Sequence, residues 1–598
     1  MKSKLLHGRF SKLTALVIVV VMLAAVFSAC GFFAGGSTQF EAFCDELFVA
    51  FMRGDALSIN ILLEHPEEYG LESESVYVSK PADNSKDYKE SYEQLAAIAV
   101  QILTFNFKSL TPSQQVTYNV LLEFLTGLSE MGDYYWFQNG FLGSYMGDNA
   151  DLPIYLDKYE FKTKNDVANY IVMINDTADA FADYVAYERA RCQNGYGRAD
   201  FVYEGIIDQA EAMAPDTDGK HYLEADFERK VAESGLVYSA AELESLKQEN
   251  RSAIYENLLP AYAELAVSIG QLLIDFPTDT RNQAGLSHLT NGKEFYATSF
   301  KRATSSSDSV PTALSNMKKA LKDVWYDYSV AYNALLTGHD AAWITAGINS
   351  VYALNSYSDE NMMSILESLE QSSKQDFPAR PEGSPSVTLN RVNPALKEYY
   401  SPAAYFKSAV DSTTAPEHIY VNTPDDLNKG YIVYELLSHE GFPGHLLQHS
   451  YFKLSDAHNV RKILGMSGYS EGWAEYAQMY TAKYFGETEL LPFYNLILKN
   501  RQLNGYLQVI VDILVNYYGY SVVELEQYLA DNALPTLTNA QAAFKSVIEY
   551  PTNAATYYYS YRKFIELRAD YKGSDMQFHT AVLAAGPMSF ELLRKTIM

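Results

Sequence analysis

Residues 435–449 read ELLSHEGFPGHLLQH and contain three of the chain's eleven histidines. Glu440 directly follows His439. Neutral imidazole is the commonest metal ligand in proteins, and a carboxylate beside a metal can serve as a general base. The stretch therefore predicts the metal site of a hydrolase. A buried structural cluster of histidines at a helix kink is the alternative interpretation.

The spacing of these histidines requires a break in the helix that carries them. On an unbroken α-helix, the six residues from His439 to His445 would turn the two rings about 120° apart. The run GFPG at 441–444 supplies two glycines and a proline, and proline ends or kinks a helix. We therefore predict a helix that ends near Glu440, a sharp bend, and a second helix that begins near Pro443.

The same stretch leaves two choices of ligand pair. His445 and His449 lie four residues apart and would share one face of the second helix, so they are the alternative to His439 with His445. Glu440 is not needed as a ligand in either case. Beside a divalent ion it is expected to take a proton from the metal-activated water and pass it to the leaving group.

A catalytic zinc site usually has three protein ligands, and residues 469–476, YSEGWAEY, offer the third. Ser470 is a suitable cap for a helix that begins there. Glu471 and Glu475 would share one face of that helix, because they lie four residues apart. We favour Glu471 as the ligand and Glu475 as a residue that orients a ligand histidine. Solvated acids near a helix start are the alternative.

The C-terminal region contains donors that could stabilise an oxyanion. Tyr557 begins a run of three tyrosines, and Arg562 and Arg568 follow it. His579 lies in the apolar segment FHTAVL. We predict Tyr557 and His579 as catalytic residues, although a lone histidine on an apolar helix is more often structural.

The first 30 residues are predicted to be a lipoprotein signal peptide. Residues 2–12 include four basic side chains, residues 13–29 are almost all apolar, and small residues precede Cys30. Cys30 would carry the lipid, and residues 31–37 would form a short tether. An uncleaved membrane anchor is the alternative.

The remaining region, 38–598, is long enough for more than one hydrophobic core. It could divide into an N-terminal lobe, 38–290, and a metal-bearing C-terminal lobe, 291–598. The net charge of −28 argues against nucleic acid or an anionic membrane surface as a partner. Membrane contact is therefore expected only through the lipid on Cys30.

Cysteines and secondary-structure patterns describe the expected fold. Only Cys44 and Cys192 remain besides the lipid site, so disulfides do not define the fold, and a bridge between these two stays open.

Helical periodicity dominates, which predicts a mainly α fold with few short strands. The helix signals and strand candidates are capping boxes at Thr111–Gln114 and Ser239–Glu242, a kink at Pro260, a helix start at 423–426, and strands at 386–390 and 418–422.

These motifs resemble the bacterial family catalogued as domain of unknown function 885. The family pattern HExxPGHxxQ is matched by residues 439–448, EGWA by 471–474, and FHxAVL by 578–583. PGQALSY is matched loosely by 551–557. In place of the family's DxGxH, residues 512–516 read DILVN, so substrate preference should not be transferred.

The resemblance implies a large helical, cleft-bearing fold like that of zinc peptidases. It implies His439, His445 and Glu471 as the metal ligands and Glu440 as the base, and it strengthens the case for His579. The family is also rich in exported lipoproteins.

We therefore expect an exported, zinc-dependent peptidase with one divalent ion that hydrolyses peptide bonds, chiefly in short peptides. The pattern is compatible with an exopeptidase or an endopeptidase. A non-catalytic surface lipoprotein that binds a ligand or a metal is the main alternative, but it would not need Glu440. A structural envelope protein, a third class, would bind no metal.

Overall fold

The computed structural model describes residues 35–53, 55–72, 81–213, 219–354, 359–397, 400–422 and 430–598. The expected signal peptide, Cys30 and most of the tether lie outside the described residues. The helix start expected at 423–426 also lies outside them.

The described chain is mainly helical, as expected from its periodicity. The helices up to residue 275 are α1 Ser37–Met52, α2 Ala56–Leu62, α3 Ser85–Ile102, α4 Pro112–Ser129, α5 Asp148–Lys158, α6 Lys164–Asn175, α7 Thr177–Gln193, α8 Asp200–Glu211, α9 Tyr222–Glu233, α10 Ala240–Ser252 and α11 Leu259–Asp275. The later helices are α12 Gly292–Thr304, α13 Val310–Leu336, α14 Ala341–Tyr352, α15 Met362–Ser373, α16 Gly430–Leu436, α17 His445–Lys453, α18 Asn459–Lys462, α19 Ser467–Tyr480, α20 Leu491–Asn516, α21 Val522–Asp531, α22 Ala540–Glu549, α23 Ser560–Asp570, α24 Asp575–Ala585 and α25 Phe590–Ile597.

Local signals account for several helix ends. Thr111 and Ser239 both accept a hydrogen bond from the backbone N–H three residues on, in reciprocal capping boxes, as predicted. Pro260 lies in the first turn of α11, directly after a wide π-helical turn at Ala253–Leu258. The missing N–H of proline is tolerated there, and the helix runs on from Ala240 to Asp275 through the π-helical turn, so the predicted kink stays a prediction.

The α10–α11 region is also apolar enough, over one stretch, to pass a length-and-composition test for a membrane span. Tyr262, Leu265 and Ile269 of α11 are nevertheless buried in the protein core. Packing inside the protein therefore accounts for part of the apolar character of this helix, since 39% of the apolar stretch is buried.

Three short strands form one sheet among the described residues, in the order β1-β3-β2. β1, Val387–Arg391, pairs in parallel with β3, Glu417–Val421, and both were predicted to within one residue. β2, Ala403–Phe406, pairs antiparallel with β3 and was not predicted. Its four residues AAYF are almost completely buried, so they lack the polar and apolar alternation that marks a half-buried strand.

Two large apolar cores follow the chain closely. Among the described residues, the buried side chains of one core lie chiefly between 40 and 272, and those of the other lie chiefly between 286 and 593, a range that includes the candidate metal stretch 435–449. A few residues pack in the core formed mainly by the other half of the chain. They are Val120 and Phe137 in the second core, and Val410, Val460 and Ile463 in the first. A third, small core lies where the halves meet and consists of Ile154, Val392, Leu396, Tyr400 and Ala404.

Cys44 and Cys192 are both buried and both free. The bridge that the sequence left open is therefore not formed.

Candidate metal centre

The predicted break in the metal-binding helix is present. α16 is followed by a π-helical turn at Leu437–Gly441 and a bend, and α17 begins at His445, two residues later than expected. A Cβ at Gly444 would lie 1.8 Å from the carbonyl oxygen of His439. The chain thus folds back too tightly for a side chain at Gly444, and this bend brings His445 towards His439.

His439, His445 and Glu471 meet in the interior of the protein. Glu471 Oε2 lies 3.4 Å from His439 Nε2, and Glu471 Oε1 lies 3.4 Å from His445 Nε2. One potential ligand atom from each residue lies within 4.8 Å of the other two, and all three residues are buried. Among the described residues, no other group of three histidine, cysteine or acidic side chains is arranged in this way.

His449 is not part of this group. Its ring stacks on Tyr405 at 5.1 Å between centroids, with an angle of 13° between the ring planes. The structure therefore brings His445 together with His439 rather than with His449. The π-helical turn and the bend reorient His439, which the spacing of an ideal helix cannot predict.

Each ligand histidine is oriented by the amide oxygen of a glutamine. His439 Nδ1 lies 3.2 Å from Gln478 Oε1, and His445 Nδ1 lies 3.4 Å from Gln448 Oε1. An amide oxygen accepts a hydrogen bond, so it favours the tautomer with the proton on Nδ1 and the lone pair on Nε2. Both lone pairs then face Glu471. This is the usual arrangement around a metal-ligating histidine.

Burial and charge act in opposite directions on these groups. Burial by itself lowers the pKa of His439, but the carboxylates of Glu471 and Glu440 raise that pKa to about 9. Burial would raise the pKa of Glu471, but the two imidazoles hold it well below its usual range. Without another cation, the buried carboxylates attract protons onto the imidazoles. A divalent cation at the same point would satisfy the same negative charge.

Glu440 lies beside this group without being one of its three members. Its Oε2 accepts a hydrogen bond of 3.0 Å from the backbone N–H of Tyr405 on β2. Burial raises the pKa of Glu440, with the two imidazoles and the Tyr405 N–H acting in the opposite direction. A buried carboxylate with a raised pKa and one fixed oxygen is suited to accepting and donating a proton.

Glu475 does not orient a ligand histidine, so that prediction is wrong. Its Oε1 lies 2.7 Å from Arg501 Nη2, while Arg501 Nη1 lies 2.8 Å from Glu435 Oε2. Glu471 and Glu475 are both buried, which also excludes solvated acids near a helix start. α19 begins at Ser467, three residues before Ser470, and the Ser470 N–H already bonds to the Met466 carbonyl, so Ser470 is not its cap.

Tyr557 lies at the site, whereas His579 does not. The Tyr557 ring, on a π-helical turn at Ala555–Tyr559, lies 6.3 Å from the His439 ring. His579 stacks on Phe377 at 3.9 Å, and its two ring nitrogens lie 2.6 Å from the Asp376 carbonyl oxygen and 2.9 Å from the Tyr476 hydroxyl. These contacts support a structural role for His579 rather than the predicted catalytic role.

The two arginines have no contact with the metal ligands either. Arg562 forms an ion pair of 3.5 Å with Glu566. Arg568 forms an ion pair of 2.6 Å with Asp575 and donates hydrogen bonds to two backbone carbonyls in the turn after α23. Both therefore stabilise the C-terminal helices locally.

Sequence reasoning missed several residues that build the centre. Gln478 lies seven residues after Glu471, on the same face of α19, so helical spacing could have identified it. Gln448 was present in the matched motif but was given no role. The Tyr405 N–H and Arg501 are brought in from distant segments, and no local signal in the sequence connects them with the site.

Comparisons with known proteins agree with this fold. The family model of bacterial proteins of unknown function, DUF885, matches residues 69–597. A crystal structure of a candidate lipoprotein from Colwellia psychrerythraea is similar, with a TM-score of 0.78 and 16% identity over 94% of this chain and 98% of that chain. A candidate lipoprotein of unknown function from Shewanella oneidensis has a TM-score of 0.60 and 15% identity over 94% and 99% of the two chains. No match is found among curated proteins.

Proposed function

This chain belongs to the bacterial family of unknown function DUF885, and we propose that it is an exported, metal-dependent peptidase. The observation that supports this most directly is the buried group of His439, His445 and Glu471, with Glu440 beside it. Two histidines and a glutamate are the protein ligands of one common class of zinc hydrolase. Export as a lipoprotein rests on the N-terminal 30 residues and on the similar structures, which are described as candidate lipoproteins.

The residues present fit a divalent cation. Among the described residues, the buried Nε2 of His439 has no hydrogen-bond partner, although the Nδ1 of the same ring is oriented by Gln478. A buried polar atom without a partner is unfavourable, and a cation at the meeting point of the three side chains would remove that penalty. His439, His445 and Glu471 would hold it, and Zn²⁺ suits this mixture of nitrogen and oxygen donors.

The chemistry at this site divides between the cation and Glu440. When bound, a zinc ion supplies Lewis acidity, which polarises a carbonyl group and lowers the pKa of water. Glu440 accepts the proton released by the attacking water and donates it to the leaving amine. The Tyr405 N–H fixes one oxygen of Glu440, so the other is directed consistently at the reacting groups. Tyr557, whose ring lies 6.3 Å from the His439 ring, would be the donor of a hydrogen bond to a developing oxyanion.

The test is a digest of a short-peptide library by the mature protein, with and without chelator, read by mass spectrometry. We expect hydrolysis that chelator abolishes and zinc restores. Glu440→Gln should keep the metal and lose about 10²–10⁴-fold of the rate, because general acid–base catalysis contributes about that much. Glu526→Gln, on the exposed face of α21, is the matched control and should change neither property.

Two other outcomes would reject the peptidase. Bound metal with no hydrolysis of any library peptide would favour a surface protein that binds a ligand or a metal. No bound metal at all would favour a structural envelope protein.

A further inference from the structure

A second buried polar cluster lies where the two halves of the chain meet, near the metal centre but outside it. We call it the lysine–tyrosine cluster, and it consists of Lys158, Lys230, Tyr170, Tyr222, Tyr400 and Tyr420. Lys158 is the last residue of α5, Lys230 and Tyr222 lie on α9, and Tyr170 lies on α6. Tyr420 lies on β3, and Tyr400 precedes β2.

The cluster is tightly built around its two ammonium groups. Lys158 Nζ lies 3.1 Å from the centre of the Tyr420 ring, and Lys230 Nζ lies 5.3 Å from the centre of the Tyr170 ring. Each lysine side chain is 8% exposed. Lys158 pairs with Asp157, and Lys230, at 3.2 Å, shares Asp226 with Arg229, so three cationic side chains face two carboxylates.

Three hydroxyl groups in this cluster are buried without a partner. The hydroxyls of Tyr170, Tyr222 and Tyr400 make no hydrogen bond with any described residue. Tyr170 is 0% exposed and Tyr400 is 3% exposed. Buried polar groups are nearly always hydrogen-bonded, so these three hydroxyls, each without a partner among the described residues, are donors available to a bound polar group.

The donors in the cluster indicate which kind of group would bind. A lysine ammonium carries three N–H donors, and among the described residues Lys158 makes a single hydrogen bond, to Asp157. Burial lowers the pKa of Lys158 to about 8, against the opposing effect of Asp157, so an anion nearby would favour its charged form. Tyrosine hydroxyls next to lysine ammonium groups form a donor set for a carboxylate.

The cluster is connected to the metal centre through β2. Tyr405 faces the metal side, where its N–H binds Glu440, whereas Ala404 packs in the small core with Tyr400 on the opposite face of the strand. Ala404 also pairs with Tyr420 of the cluster across β2 and β3. The cluster therefore lies one residue along β2 from the N–H that binds Glu440.

We propose that the lysine–tyrosine cluster binds the C-terminal carboxylate of a short peptide, so that cleavage occurs near the C-terminus of the substrate. This inference rests on the proposed peptidase function and adds a substrate class to it. It predicts an exopeptidase whose preference for a free carboxyl group depends on Lys158 and Tyr400.

The experiment compares a library of tripeptides with free carboxyl ends with the same library as C-terminal carboxamides. The zinc-loaded mature protein should cleave the free acids with a kcat/KM at least about tenfold higher, since a hydrogen bond to a charged group is worth about that much or more. Tyr400→Phe and Lys158→Met should raise KM for the free acids by about tenfold and leave the carboxamides unchanged.

Controls separate recognition from folding. Tyr400→Phe removes a hydroxyl that bonds to no described residue, so its thermal unfolding should match that of the parent protein. Lys158→Arg should restore part of the preference that Lys158→Met loses. Lys162→Met is the matched control, because Lys162 pairs with Glu64 and Glu160 outside the cluster and should change neither library.

Equal rates for acids and carboxamides would overturn the proposal while the peptidase stands. A preference for carboxamides that carry Asp or Glu would also overturn it, because the carboxylate would then come from a side chain. If neither library is cleaved, the binding of both libraries to the Glu440→Gln variant is measured by calorimetry. This measurement tests carboxylate recognition by the cluster separately from hydrolysis. If the free acids bind more tightly than the carboxamides and Tyr400→Phe abolishes this difference, the proposal is supported. If the two libraries bind equally, the proposal is overturned.

Discussion

Two buried histidine sites lie against different faces of α19, and they differ in what surrounds the imidazole. His439 faces Glu471 and Glu440, and its pKa rises to about 9 against the effect of burial. His579 lies between Phe377, Tyr476 and the Asp376 carbonyl, and burial lowers its pKa to about 4. Both rings are removed from solvent, so burial does not distinguish a candidate ligand from a structural histidine.

The difference lies in which ring nitrogens already have partners. At His579 a neutral oxygen satisfies each nitrogen, so nothing remains to bind a cation. At His439 an amide oxygen occupies Nδ1, while Nε2 faces a carboxylate across the site. A histidine with one nitrogen oriented and the other facing a carboxylate is therefore the better candidate ligand.

The largest expected effect comes from removing a ligand. Glu471→Ala should lose the metal on dialysis and with it all measurable hydrolysis, because two imidazoles alone rarely retain zinc in a catalytic site. Metal analysis of the dialysed protein measures this directly. His579→Phe is the matched control and should keep its metal. Equal metal loss in both variants would break the distinction between the two sites.

The next effect is a pH dependence of stability from His579. Its pKa falls from 6.5 to about 4 on folding, so between these values the unfolded chain binds a proton that the folded chain does not. The stability present above pH 6.5 is therefore lost as the pH falls towards 4, by up to about 3 kcal/mol. His579→Phe should lack this loss.

Chemical denaturation between pH 4.5 and 8 measures it as the difference in free energy of unfolding between parent and variant. The variant should be less stable at pH 8 by about 1–3 kcal/mol, because the Tyr476 hydroxyl and the Asp376 carbonyl lose their partner. The difference in free energy of unfolding between parent and variant should become smaller as the pH falls. A gap that is constant with pH would mean that His579 titrates normally in the folded protein.

The smallest effect sharpens the role of the amide oxygens. Gln478→Met keeps the side-chain volume but removes the acceptor that orients His439. Metal affinity should fall by about 10–100-fold, which corresponds to about 1.4–2.7 kcal/mol. Competition with a chelator of known affinity measures it. Gln502→Met on α20, whose partners are Tyr506 and Tyr561, is the control and should bind metal as the parent does.

Local patterns in the sequence predicted much of the fold. The capping boxes at Thr111 and Ser239 and the break after Glu440 depend on backbone geometry within a few residues, and all are present. β2 was not predicted, because a strand of four almost completely buried residues shows no alternation of polar and apolar side chains. The start of α17 was misplaced by two residues, because the tight turn at Gly444 depends on the His439 carbonyl.

The three candidate ligand residues were predicted, but the residues that support them were not. His439, His445 and Glu471 were identified from residue type and spacing, and the structure brings them together. Glu471 and Glu475 have the same spacing signal, yet one faces the histidines and the other pairs with Arg501. Arg501 of α20, which pairs with Glu475 and not with Glu471, separates their roles.

The sequence by itself determined the mainly helical class, the broken helix and the residue types able to hold a cation, because these follow from local backbone preferences and side-chain chemistry. The tertiary structure alone decided that Glu440 receives the N–H of β2, that His579 is satisfied by neutral partners, and that unpaired hydroxyls gather between the two halves. These outcomes depend on which distant segments pack together, and no short stretch of sequence encodes that packing.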